Sequence, residues 1–206
     1  MRTSLIAVAG LIAATTLAEV SMLGCRTNST SPKATSRTAT SIATSRSSSS
    51  TSAQDQPTDY TRLLIQASDI NAPEVFRASP PRIDPNALAT VATTFRNQDG
   101  THVIYDSILV APDPDAAARA LESRKTLAQQ GTVHGAPVPI DIGTGGTTIV
   151  GPSPDGNKGV TVLLFTEGRA FVELEFDGPP NVLVPQDFAT DVGQKQDAAV
   201  RNGLAG

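Results

Sequence analysis

Apolar and polar positions divide this 206-residue chain into three stretches. Leu5 to Ala18 is an almost unbroken apolar run of 14 residues. Residues 26–56 hold almost no apolar side chains. From residue 57 onward, short apolar runs alternate with polar ones, punctuated by Pro and Gly, which is the pattern of a folded chain.

Within the third stretch the pattern predicts a series of elements. Tyr60–Ala67 is a short apolar element. Asn71–Asn86 is a Pro-rich loop. Leu88–Arg96 and Thr101–Ala111 read as two strands joined by the turn Asn97-Gln98-Asp99-Gly100, with Gly supplying a positive φ. A helix follows from Pro114 to about Gln130. Asp113 suits its N-cap, Pro114 its first position, Asp115 the positive end of its dipole, and Gly131 its stop. Its apolar face is shallow (Ala117, Ala120, Leu121, Ala128), which suits close packing on a flat surface. Val133–Gly146 is a Gly- and Pro-rich loop, and Thr147–Val150 a strand. Pro152–Gly159 is a hairpin connection. Val160–Thr166 is apolar on both faces and β-branched, which places it centrally in a sheet. After the turn Glu167-Gly168, Arg169–Asp177 alternates. Val172, Leu174 and Phe176 point one way, Glu173 and Glu175 the other. A last helix spans Pro185 to Asn202 and buries Phe188, Val192, Ala199 and Val200.

The order β-β-α-β-β-β-α predicts an α+β fold: an antiparallel sheet of about five or six strands with two main helices packed on one side of it. Residues 57–206 have the size of one domain.

The first stretch changes the picture of where this domain works. Arg2, the apolar run and the small or apolar residues up to Gly24 have the three parts of a secretory signal. The run is shorter than the roughly 20 residues of a membrane-spanning helix. Cys25 is the only cysteine, so an internal disulfide is excluded. Met22-Leu23-Gly24-Cys25 resembles the lipobox of bacterial lipoproteins. The resemblance implies cleavage between Gly24 and Cys25 and attachment of a diacylglycerol, palmitate included, to the Cys25 thiol. Residues 1–24 would then be the signal peptide, and Cys25 the first mature residue. The alternatives are an uncleaved N-terminal anchor or plain secretion.

Residues 25–56 then read as a tether. Their Ser/Thr-rich composition cannot bury enough surface to offset ordering, which predicts disorder. The 31 residues from 26 to 56 would span about 30 Å as a flexible coil. Arg26, Lys33, Arg37 and Arg46 against Asp55 give the tether a net +3, while residues 57–206 carry 11 Lys+Arg and 18 Asp+Glu, a net −7. The basic tether suits either contact with anionic lipid or mere solubility. Asn28-Ser29-Thr30 matches a glycosylation sequon, and the Thr-rich tract suits O-mannosylation.

Candidate chemistry in the domain is sparse. His102 and His134 lack carboxylate or thiol neighbours at metal-ligand spacing, so no metal is expected. Ser153 in Gly151-Pro152-Ser153-Pro154-Asp155 lacks the closing glycine of a nucleophile elbow and reads as a turn residue. Gly143-Thr144-Gly145-Gly146 precedes a strand, not a helix, and so lacks half of a phosphate site. Glu173 and Glu175 share one strand face and read as a solvated acidic pair. An acidic domain with no basic stripe and no Trp argues against nucleic acid and, mildly, against sugars.

Signal, tether and element order, with Val162–Phe171 and Asp187–Asp197 as the most familiar phrases, resemble small mycobacterial-type cell-envelope lipoproteins, some of which adopt a Mog1/PsbP-like sandwich. The resemblance brings no catalytic residues and no cofactor. The expectation is a non-enzymatic protein, lipid-anchored on the outer face of the cell membrane. Its domain would bind a ligand or a protein partner, and a groove between helix 113–130 and the sheet would take a lipid or glycolipid. The alternatives are an adaptor for envelope enzymes, working through loops 79–85 or 131–146, and a hydrolase with a dispersed triad.

Overall fold

The computed structural model describes residues 59–83 and 89–205. Gly24, Cys25, the signal and the tether lie outside the described residues. Two 3-10 turns (Thr61–Leu63 and Ala67–Asp69) lead into β1 (Arg77–Ala78), β2 (Arg82–Ile83), β3 (Thr90–Arg96) and β4 (Val103–Val110). Then come α1 (Pro114–Gly131), β5 (Pro137–Pro139), β6 (Thr144–Pro152), β7 (Gly159–Glu167), β8 (Ala170–Gly178) and α2 (Gln186–Leu204). The class is α+β. All eight strands form one antiparallel sheet in the order β1-β3-β4-β8-β7-β6-β5, with β2 also paired to β3.

Among the described residues, eight strands replace the five or six expected. The additions β1, β2 and β5 have two, two and three residues. β5 falls inside the region expected to be a loop, and two of its three residues are prolines. Proline cannot donate to a ladder, which confines it to a sheet edge, and β5 is the edge strand beside β6. β6 also begins earlier than expected. Gly143 (φ 55°) and Gly145 (φ 67°) allow a register shift between Thr144 and Thr147. The glycine cluster is therefore the bulged entry to a strand.

The α1 N-terminus forms as its sequence predicts. Asp113 accepts a hydrogen bond from the Ala116 amide at 2.7 Å. The C-terminus differs. Gly131 is the last helical residue, Thr132 stays right-handed, and the amides of Thr132 and Val133 both donate to the Ala128 carbonyl.

The helices lie on opposite faces of the sheet, which corrects the expectation of one shared face. Ala117, Leu121 and Ala128 of α1 pack with Ile149, Val160, Val162, Leu164 and Phe171. Ala189, Val192 and Val200 of α2 pack with Phe95, Ile104, Leu163, Phe165, Leu174 and Phe176. The cause is the two-sided apolar character of β7. Leu163 and Phe165 face one core while Val162 and Leu164 face the other, and each needs its own helix to exclude water.

The segment before β1 closes the α2-side core. Leu63, Leu64 and Ile65 insert into it, and Gln196 of α2, itself fully buried, accepts from the Ile65 amide at 3.1 Å. Asp106 of β4 also faces this core. It is fully buried, and neither carboxyl oxygen has a hydrogen-bond partner among the described residues.

Candidate functional site

The residues singled out in the sequence do not converge. His102 immediately precedes β4, where its Nδ1 lies 3.1 Å from Glu74 and 3.2 Å from the Asn97 side-chain amide nitrogen. His134 follows α1, where its amide donates to the Pro152 carbonyl. Ser153 donates to Asp155 and accepts from the Lys158 amide, so it braces the β6–β7 turn. Its hydroxyl, with the Asn157 amide, holds the Asp155 carboxyl down to about 2. Among the described residues, no group of three or more His, Cys, Asp or Glu is placed to hold a metal ion.

Glu173 and Glu175 are not on a solvated face. Both are mostly buried beside α1, and Arg124 reaches them from that helix. The Arg124 Nε donates to both Glu173 oxygens, at 2.8 and 2.7 Å. Glu175 has Arg124 only at 4.0 Å. Burial, then the charges of Asp177 and Glu173, push its carboxyl up to about 7, against the opposing pull of Arg124. Lys158 is bonded to the third carboxylate of the row, Asp177.

The feature the sequence did not disclose is a cavity of about 430 Å³ on the α2 side. Five segments enclose it: residues 71–76, the start of β4, the end of β8, residues 182–185, and the first turns of α2. Its floor is apolar: Phe76, Ile104, Phe176, Val184 and Phe188. Phe176 and Phe188 meet edge to face, with ring centroids 6.1 Å apart. Glu74, His102, Asp187 and Asp191 line its polar part.

Local chemistry explains how the wall at 182–185 is held. Pro179 and Pro180 end β8, the Val182 amide donates to the Pro179 carbonyl at 3.0 Å, and Asn181 takes φ 61°. The Val182 carbonyl then rests against Gly159 and Gly178, where a Cβ at Gly159 would overlap it. These paired glycines let the loop lie flat on the sheet end. Val182 and Leu183 remain 48% and 47% exposed beside the cavity.

The groove expected beneath α1 is not where this space lies. Ala117 and Ala128 are fully buried. Their small side chains let the helix settle closely onto β7 and β8.

No family model matches the chain. No curated protein matches it either. Among solved structures, the extracellular domain of PknH from Mycobacterium tuberculosis is similar to it. The two share 11% identity over 70% of this chain and 94% of that one, with a TM-score of 0.42. Among the described residues, no helix is long and apolar enough to cross a membrane.

Proposed function

We propose that this chain is an extracytoplasmic lipoprotein, anchored through Cys25, whose α+β domain binds a ligand and catalyses nothing. The anchor rests on the lipobox-like Met22-Leu23-Gly24-Cys25, and the finer likeness to a Mog1/PsbP-like sandwich belongs to the same reading. The observation that carries the binding function is the cavity at the start of α2. Its volume of about 430 Å³ lies in the range of small-molecule sites, roughly 300–1,000 Å³. An apolar floor with a few polar groups on one side is the composition of such sites. The floor accepts an acyl chain or comparable apolar group, and a lipid or glycolipid supplies one.

Native mass spectrometry of the full chain, purified from a lipid-rich host, tests this. The wild type retains an adduct, and Val184→Trp, which fills the cavity, loses it. A bare mass for both proteins overturns the reading.

The adaptor reading draws on one observation, the exposure of Val75, Val182 and Leu183 close to the same cavity. Crosslinking in cells to a single protein, abolished by Val184→Trp, would put a partner's side chain in place of the lipid.

A further inference from the structure

We infer that the occupant of the α2-side cavity is an amphiphile with a positively charged head, an inference that rests on the proposed ligand-binding reading. The argument is one of charge complementarity. Three carboxylates line the cavity from its own side of the sheet (Glu74, Asp187 and Asp191), and no lysine or arginine lines it. One of the three already has an ammonium partner: Lys195 on Asp191 at 2.7 Å. Glu74 and Asp187 do not. Among the described residues, Glu74 has only the His102 ring and the Asn97 amide beside it, and Asp187 accepts only from the Phe188 amide next to it.

The one feature that favours an anion is the N-terminus of α2, whose dipole end is positive. Asp187 stands in that first turn, so the dipole is already answered by the protein's own carboxylate. An anionic head would meet Glu74 and Asp187 with no lysine or arginine paired to either. An ammonium or guanidinium head would find two acceptors above an apolar floor that takes its chain. The whole domain reinforces the preference, because residues 57–206 carry a net −7.

Three photoreactive dodecyl probes, identical in chain and differing only in head group, test the inference on the full-length protein. The heads are ammonium, hydroxyl and carboxylate, and labelled peptides are mapped by mass spectrometry. The hydroxyl probe labels residues 71–76 or 176–191. The ammonium probe labels the same segments at about ten-fold lower concentration than the carboxylate probe, as two partly exposed ion pairs would give. The double variant Glu74→Gln, Asp187→Asn brings the ammonium-to-carboxylate ratio close to one. The single variant Asp187→Asn, at an exposed position, brings it part of the way and guards against misfolding of the double variant. Hydroxyl labelling with no preference for ammonium overturns the charge inference and leaves the binding reading standing. Labelling of neither segment by any probe overturns both.

Discussion

The side-chain amide of Gln196 donates to the Leu63 carbonyl at 2.7 Å. Together with the bond it accepts from the Ile65 amide, this clips the segment before β1 onto α2, inside an apolar core. Gln196→Leu keeps the volume but leaves a buried carbonyl and a buried amide unpaired. The expected cost is about 2–4 kcal/mol, measured as the fall in urea-unfolding free energy. A loss below about 0.5 kcal/mol would mean that water replaces the glutamine.

Asp106 makes stability depend on pH in an unusual direction. Burial raises its carboxyl well above 3.8, so the folded chain holds a proton that the unfolded chain releases. Its contribution is complete below about pH 4 and is lost as pH rises toward the folded value, at up to about 1.4 kcal/mol per pH unit. Asp106→Asn removes the term. The stability of the variant relative to wild type therefore increases as pH rises above about 4. Urea unfolding at several pH values reads this directly, and a gap that stays constant with pH contradicts it.

Burial holds the Glu175 carboxyl above the usual carboxylate range. Its carbon-13 carboxyl resonance should show a midpoint near 7. Arg124→Met removes a nearby cation that lowers it, so the midpoint moves higher. The same change leaves Glu173 without its forked partner, at a cost of about 1–3 kcal/mol after allowance for partial exposure. An unmoved midpoint in Arg124→Met would show that Arg124 does not act on Glu175. Because the folded value is raised, this group too favours the fold at low pH and loses that contribution between about pH 4.5 and 7.

The proposed anchor has its own measurement. Metabolic labelling with a fatty acid marks the wild type, and Cys25→Ser abolishes the label and releases the chain from the membrane fraction. Equal labelling of both removes Cys25 as the attachment site.

Local signals in the chain translated well into elements. Asp113-Pro114-Asp115 opened a helix, Asn97–Gly100 turned a hairpin, and the alternation of Val172, Leu174 and Phe176 marked the core face of β8. Long-range consequences were harder to reach. Val160–Thr166 showed two apolar faces, yet two helices assigned to one side would have left Val162 and Leu164 uncovered. Followed through, that conflict alone separates the helices. The prolines of β5 hid a strand because an edge position excuses the missing donors. The cavity left the weakest trace, since it is assembled from five segments. Gly159, Gly178 and the pair Pro179-Pro180 mark its wall only once β7 and β8 are known to be neighbours. Glu173 and Glu175 read as solvated in the sequence because Arg124, which covers them, comes from a distant helix.

The ladder between β4 and β8 joins the β3–β4 hairpin to the β6–β7–β8 meander. Ile104 and Phe176, opposite each other on that ladder, form part of the cavity floor. The floor is thus a seam between two halves made at different times during synthesis. Anything that occupies the cavity recognises only the completed join. It stabilises the finished molecule against every half-assembled one by mass action, and its saturating stoichiometry counts the correctly closed chains in a preparation.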